Sequence, residues 1–362
     1  MKYIKEKNRI IEFKSVEEFD KFIPNLKKPN LKVVTLFSGY GSQELALKYL
    51  GLNYEVIANS DIDKHANEVY DKLHNTKFGN LGDIKTISAE SFPDCNLLTY
   101  SFPCTSVSKA GKQEGIAPGT PSGLLLEVER LLVFKQPEYL LMENVANLVS
   151  ERHMPSFQRH LDYLHSLGYA TYYRVLNAVD FGCSQNRKRV LMVAKLNGCK
   201  KSLKRKMNDL NYHTEERSNL EKIVEQVNDE KKYLDFKIIP YQTSESSVCK
   251  TVAKIEGVNY QQTARIYSIY GASPCITKTI APKIIDKKGK IRRITAREGY
   301  RLMGVKENDI DLMFQTSLSE SQHLALAGNS ICIPVLEAIF YEFFYTRDIY
   351  SMYSNMGLKL VA

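Results

Sequence analysis

A cysteine stands directly after a proline at the end of an apolar run, Leu97-Leu98-Thr99-Tyr100-Ser101-Phe102-Pro103-Cys104, at the mouth of a polar loop that runs to residue 122. A structural cysteine belongs inside such a run. One held at its end is presented outward. The nucleophilic form is the thiolate, which needs a partly exposed, electropositive setting, and Lys109 and Lys112 stand in the loop beyond. A second run, Tyr139–Met142, ends in Glu143. Desolvated beside the thiol, that carboxyl has a raised pKa and can act as a general acid. Arg187 and Arg189 occupy alternate positions after Gln185, so in an extended chain they point the same way.

A different chemistry is written at Phe37-Ser38-Gly39-Tyr40-Gly41-Ser42, where an apolar run opens into a helical stretch. Two glycines allow a tight turn and close approach of a ligand to the backbone. The set is half a dinucleotide fingerprint, because G-x-G-x-x-G requires glycine where Glu44 stands, and a carboxylate there is expected to repel a pyrophosphate. Asp61, twenty residues past Gly41, is placed to accept from ribose hydroxyls. The pair points to a nucleoside without a pyrophosphate. S-adenosylmethionine fits that description and NAD does not.

These residues need a frame. Between Leu31 and Leu196 short apolar runs alternate with helical stretches: strands at 32–37, 55–60, 97–102, 139–144, 171–178 and 189–194, and helices at Gln43–Leu50, Lys64–Leu73, Leu124–Phe134 and Ser156–Leu167. Runs buried on both faces and joined by crossover helices predict a parallel α/β sheet. Its ligands bind at the carboxyl ends of the strands, where the cysteine, the glutamate, the glycine turn and Asp61 all fall. After Leu196 the rhythm stops. Residues 197–260 read as polar and irregular with one amphipathic helix near Leu220–Val227, followed by short strand-like pieces. Helical character returns in "LSESQHLALAGNS" and in the apolar 333–345, which is expected to pack back on the first domain.

Composition sets the partners. Between Lys195 and Tyr300 there are 22 Lys and Arg against 12 Asp and Glu, an excess of 10 in a chain whose net charge is +9. A basic segment on a neutral remainder points to a polyanion. The seven cysteines include no C-x-x-C pair, which argues against a disulfide framework or zinc site and for a reducing cytoplasm. No signal peptide and no apolar run of membrane-spanning length are expected.

In chain order the sequence carries F-x-G-x-G (37–41), the acidic Asp61, G-D-I (82–84), F-P-C (102–104), E-N-V (143–145), Q-x-R-x-R (185–189), R-x-x-T-x-x-E-x-x-R-L-M-G (292–304) and A-G-N-S (327–330). This succession resembles the DNA (cytosine-5)-methyltransferases of bacterial and phage type, over about residues 31–196 and 262–340. The resemblance implies a Rossmann-like, mostly parallel α/β sheet of the class I S-adenosylmethionine-dependent kind, with a smaller irregular or β-rich target-recognition domain. It divides the chain into an extension at 1–30 (a surface arm or packed helix), a catalytic and cofactor-binding domain at 31–196, a recognition domain at 197–318, and returning helices at 319–362.

The resemblance also implies roles. A cytosine is flipped out of double-stranded DNA, Cys104 attacks its C6, Glu143 holds and protonates N3, Arg189 holds O2, and Arg187 supports the Glu143 and Cys104 geometry. Phe37, Gly39, Tyr40 and Gly41 surround S-adenosylmethionine; Asp61 and Ile62, Asp83 and Ile84, and Pro103, Leu125, Asn329 and Ser330 complete its site. S-adenosylhomocysteine leaves, and no metal is required. The loop 103–122, with Ser108, Lys109, Gly111 and Lys112, closes over the base, and Gln261, Gln262, Ser268, Tyr270 and Ser273 are candidates for reading bases. A monomer in a bacterial or phage-infected cytoplasm is expected, and a cognate restriction endonuclease is a partner that this family admits. This chain departs from many relatives in having Ile62 rather than Trp after the ribose acid and Cys275-Ile276 where Thr-Leu is frequent, and Arg292 and Arg293 compete for one motif position. The tRNA-directed branch is marked by a Cys-Phe-Thr tripeptide, absent here; a catalytically silent DNA-binding relative would not keep Cys104, Glu143 and Arg189.

Overall fold

Apolar alternation decides the architecture. Val33, Leu97, Leu141 and Leu191 belong to one buried cluster, while Val34, Leu98, Leu140 and Val190, one residue along or back on each strand, belong to another. Successive side chains on a strand point to opposite faces, so a run apolar at every position must be covered on both. The computed structural model, which describes residues 2–6, 9–13, 30–108, 111, 113–210, 218–244 and 246–345, shows this sheet. Its strands are β1 (Leu31–Leu36), β2 (Tyr54–Ser60), β3 (Leu97–Tyr100), β4 (Tyr139–Val145), β5 (Tyr169–Asn177) and β6 (Lys188–Leu196), in the order β2-β1-β3-β4-β6-β5. Neighbours from β2 to β4 are parallel, whereas β6 runs antiparallel to both β4 and β5. The sheet is therefore mostly parallel, with one reversed strand.

On one face lie α3 (Leu125–Phe134) and α4 (Met154–Ser166), contributing Val128, Leu131, Phe157 and Leu161. On the other lie α1 (Ser42–Tyr49) and the C-terminal α9 (Ile333–Phe340), which pack on each other. The helix α2 (Lys64–Leu73) follows β2. Beyond the sheet, α5 (Lys200–Asn208) packs against β5, and the Arg174 guanidinium donates to the Met207 carbonyl. That helix replaces the one expected at Leu220–Val227, where the chain makes only a short 3-10 turn, Leu220–Lys222, and buries Leu220 and Val227.

A second sheet follows, of β7 (Ile238–Pro240), β8 (Thr251–Ile255), β9 (Arg265–Ser268), β10 (Lys283–Ile285) and β11 (Ile291–Arg293), paired in sequence order with only β9 and β10 parallel. Three helices unite it with the large sheet: α6 (Ala296–Leu302), α7 (Glu307–Met313) and α8 (Glu320–Asn329). Arg292, not Arg293, fills the motif position. Its fully buried guanidinium meets the Glu298 carboxylate at 2.7 and 2.8 Å, while Thr295 and Glu298 close a capping box at the start of α6.

Residues 2–6 and 9–13 form an antiparallel hairpin, so this part of the extension is not a helix. By length and composition Glu320–Phe344 could cross a membrane, a property hidden from the sequence by polar residues such as Asn329 and Ser330. It is interrupted at Ser330–Cys332 and mostly buried in the protein's own core.

Candidate active site

The turn after β1 is built by backbone conformation. Phe37, Gly39 and Gly41 all have positive φ, at 57°, 56° and 83°. A Cβ on Gly41 would lie 2.3 Å from the His74 ring, so only glycine fits. A Cβ on Gly39 would meet nothing within 4 Å; the turn is open on that side. There the Gly39 N–H donates to Asp61 Oδ2 at 2.8 Å, and the Asp63 N–H to Asp61 Oδ1 at 2.9 Å. Burial raises the Asp61 pKa against these two bonds. An open glycine turn, a carboxylate at its amide, the exposed Ile62 and the exposed Asn329 fit a nucleoside with an aliphatic support for its base. Asp83 caps the next turn through Lys85 N–H. Ile84 and Leu125 lie in the apolar core.

Two expectations about this turn change. Glu44 does not face the ligand: it is fully buried, accepting from Thr35 and Tyr70 hydroxyls, so it cannot repel a pyrophosphate and does not itself distinguish nucleoside from dinucleotide. The Tyr40 side chain is likewise taken into the core, edge-on to Tyr300, where its hydroxyl accepts from Ser330 at 2.7 Å. Ser42 completes this hydroxyl group at 2.6 Å from Ser330, fastening the A-G-N-S segment to the glycine turn. His74 is pushed down to about 4 by burial, and its neutral ring meets the Tyr40 carbonyl at 3.1 Å.

Cys104 begins a tight turn in which its carbonyl accepts from Val107 and Ser108 N–H. The turn is tied from behind. Ser122 donates to the Pro103 carbonyl at 2.7 Å, Asn144 to the Phe102 carbonyl at 3.0 Å, and Asn147 to the Val107 carbonyl at 2.7 Å. Gly111 closes it: a Cβ there would lie 1.8 Å from the Thr105 carbonyl oxygen. None of Ser122, Asn144 and Asn147 was expected as a site residue. The signals were Asn144 standing within the E-N-V motif and Ser122 at the end of the 103–122 loop.

Glu143 leaves the end of β4 opposite Leu191 of β6, and Arg189, two residues before it, reaches Glu143 with Nε at 3.0 Å from Oε1. Burial raises the Glu143 pKa, with Arg189 and Arg187 opposing. Burial and Glu143 raise the Cys104 thiol, again with the two arginines opposing. The described surroundings therefore bias the resting pair toward its protonated forms. Lys109 and Lys112 lie outside the described residues.

The two terminal nitrogens of Arg187 are engaged elsewhere, while its buried Nε has no hydrogen-bond partner. Its guanidinium is buried and donates to the carbonyls of Ile276 (2.8 Å), Gly328 (3.0 Å) and Ser330 (2.6 Å) and to Cys275 Sγ (3.1 Å). It acts on Glu143 and Cys104 through charge alone. Of the residues expected to read bases, Gln261, Gln262 and Tyr270 are exposed, Ser268 is half-buried, and Ser108 stands half-buried in the Cys104 turn. Ser273 is buried with its hydroxyl on the Pro274 carbonyl. Among the described residues no group of three or more His, Cys, Asp and Glu could hold a metal.

Comparison with known proteins places this geometry in company. The family of C-5 cytosine-specific DNA methylases matches residues 31–344. The chain is 32% identical to the Type II methyltransferase M2.ScrFI of Lactococcus lactis, over 87% of this chain and 99% of that protein. It is also 32% identical to the orphan methyltransferase M.SssI of Spiroplasma monobiae, over 73% of this chain and 69% of that one. Among solved structures, S. pombe Dnmt2 superposes with a TM-score of 0.65 at 21% identity, and Entamoeba histolytica EhMeth with 0.67 at 18%; each covers 88% of this chain and 99% of its own.

Proposed function

The chain belongs to the C-5 cytosine-specific DNA methylases, and from that premise we propose that it methylates C5 of a cytosine flipped from a short specific sequence of duplex DNA, through a covalent bond between Cys104 and C6. It is an S-adenosylmethionine-dependent C5-cytosine methyltransferase. S-adenosylmethionine, when bound, supplies an electrophilic methyl group. In this reading Asp61, the Gly39 turn, Ile62 and Asn329 hold it, and every other step falls to the protein's own residues.

The observation that carries the reading is the Glu143–Arg189 pair, 3.0 Å apart, at the strand end beside the tied Cys104 turn. With its pKa raised, Glu143 can arrive protonated and donate to N3, while Arg189 turns from Glu143 toward O2 of the base. Cys104 gives up its proton to solvent and forms the S–C6 bond, and the C5–C6 electron pair moves to C5, which becomes the carbon nucleophile. After methylation the C5 proton leaves to a base, the S–C6 bond breaks to return the thiolate, N3 gives its proton back to Glu143 and aromaticity returns. A thiol held in its less reactive form until the base arrives limits side reactions with other electrophiles. The basic segment supports DNA as the polyanion, with binding that weakens steeply as salt rises. Type II and orphan enzymes both occur among the relatives, so the reading assigns no companion endonuclease, and it takes the protein as a monomer.

The test is transfer of labelled methyl from S-adenosylmethionine to plasmid DNA, wild type beside Cys104→Ala, with bisulfite sequencing of the product. Methylation at C5 within one repeated short sequence, absent in the variant, is expected. Transfer to tRNA in place of DNA would overturn the choice of substrate.

A further inference from the structure

We propose that Cys275 is a positioning residue for methyl transfer: its sulfur takes hydrogen bonds from Arg187 and Arg189 together and holds the Arg189 guanidinium where it reaches Glu143. This inference rests on the reading above. Cys275 lies on the segment Ser273–Ile276, far in sequence from the catalytic strands, yet the two are stitched together. Ser273–Pro274 pairs in parallel with Gln185–Asn186, the Ser273 N–H donates to the Ser184 carbonyl at 2.7 Å, and the Ile276 N–H donates to the Gln185 side chain at 3.1 Å. The sulfur is thereby placed 3.1 Å from Arg187 Nη1 and 3.7 Å from Arg189 Nη2.

Arg189 has few other anchors. Its Nε faces Glu143, its Nη1 donates to the carbonyl of Lys188, and Nη2 has Cys275. A guanidinium is a rigid fork, so fixing Nη2 on one side orients Nε on the other. The thiol is suited to this place. Its pKa is lowered: burial pushes it up, and Arg187 and Arg189 outweigh burial. The charged and titratable groups facing it are these two arginines, with Cys249 and Cys332 close enough to interact and Glu143 beyond Arg189. As thiolate the sulfur accepts from both arginines. Once protonated it turns donor toward the Ile276 carbonyl at 3.4 Å, an acceptor that Arg187 already uses, and its hold on Arg189 slackens. The segment that follows the exposed Tyr270 thus bears directly on the arginine that pairs with the catalytic glutamate, so that movement of one shifts the other.

Cys275→Ala and Cys275→Ser separate positioning from packing. On the unmethylated target duplex, Cys275→Ala is expected to slow single-turnover transfer about tenfold, with steady-state KM for DNA and cofactor changed less than about twofold, and Cys275→Ser to recover part of the loss, because the hydroxyl still accepts from an arginine while it donates to the Ile276 carbonyl. Transfer by Cys275→Ala at the wild-type rate, or equal losses in both variants tracking a lower thermal midpoint, would overturn the proposal. A second readout needs no activity. In the Cys104→Ala protein, iodoacetamide labelling across pH with peptide mass mapping should show Cys275 reacting at lower pH than an ordinary thiol, and Arg189→Ala should shift that midpoint upward. An ordinary midpoint indifferent to Arg189 would sink it. Were the wild type to transfer no methyl to DNA, the functional reading would fail, and the labelling would still decide the Cys275 contact.

Discussion

The strand-end crevice and the small sheet hold their polar residues in opposite ways. Around Cys104 the polar groups are wholly or partly buried and bonded across long stretches of sequence: Glu143 to Arg189, Asn144 to Phe102, Ser122 to Pro103, Arg187 to Gly328 and Ser330. In the segments flanking β9 of the small sheet, Gln261, Gln262, Tyr260 and Tyr270 are exposed. Their side-chain bonds run only to neighbours: Arg265 to Gln261 at 2.5 Å, and Tyr260 to Gln262 at 3.2 Å. Chemistry on a base demands fixed distances between thiol, acid and ring, which only cross-strand ties onto a packed sheet supply. Reading a groove asks for side chains that exchange water and local partners for base edges at little cost. In the function proposed above, the first region is positioned before substrate arrives, and the second is left to adjust to it.

That contrast breaks hardest at Cys104. Cys104→Ala should lower methyl transfer by at least about 10⁴-fold while leaving DNA affinity within a few-fold, measured by filter binding beside the transfer assay. Loss of binding in step with activity would mean that the cysteine is not a dedicated nucleophile. Next is Glu143→Gln, expected to cost about 10²- to 10⁴-fold. Its pH profile sharpens the point. In the proposed mechanism transfer needs Glu143 protonated and Cys104 ionised, and both pKa values are raised. The wild type should therefore give a bell, with one limb lost to protonation of the pair and the other to its deprotonation. In the glutamine variant there is no acid proton to lose, so the rate should climb with pH until the raised Cys104 thiol is fully ionised.

Arg187 and Arg189 divide the same contrast within three residues. Arg187→Ala leaves the carbonyls of Ile276, Gly328 and Ser330 unpaired in the interior and should destabilise the fold by about 3 kcal/mol in urea titration. Arg189→Ala should cost under about 1 kcal/mol there, yet slow transfer strongly. Equal stability losses would refute the division of labour. The smallest effect is expected at the small sheet. Gln262→Ala and Tyr270→Ala should leave the thermal midpoint unchanged and cost about 1–3 kcal/mol of discrimination between sequences if they read bases, or reduce affinity uniformly if they touch only phosphates.

Much of this was legible because apolar runs are a strong signal. The six strands of the large sheet fall within about two residues of their expected ends, and helix α2 falls where expected. Strand direction is not encoded in such runs, so the reversal of β6 could not be read. The helix at Lys200–Asn208 was hidden because five of its nine residues are Lys or Arg and only Leu203 and Met207 are buried, one turn apart. Site residues named by type and strand end, Cys104, Glu143 and Arg189, do meet at one edge. Where a side chain turns is not written in the strand pattern: Glu44 and Tyr40 face the core, and Ser273 is buried. Asn144 stood in the E-N-V motif, but the ties made by Ser122, Asn144 and Asn147 could not be read, because a side chain serving a distant carbonyl leaves no spacing to recognise.

The most direct test is to incubate the protein and S-adenosylmethionine with a duplex carrying 5-fluorocytosine at the target. Fluorine cannot leave C5 as a proton does, so the S–C6 bond, once made, should persist. The account predicts a DNA–protein species that survives denaturing gels, absent in Cys104→Ala, with the modified peptide mapping to Cys104 by mass spectrometry. A wild-type protein that methylates ordinary duplex yet forms no such species, or one attached through another residue, would contradict it.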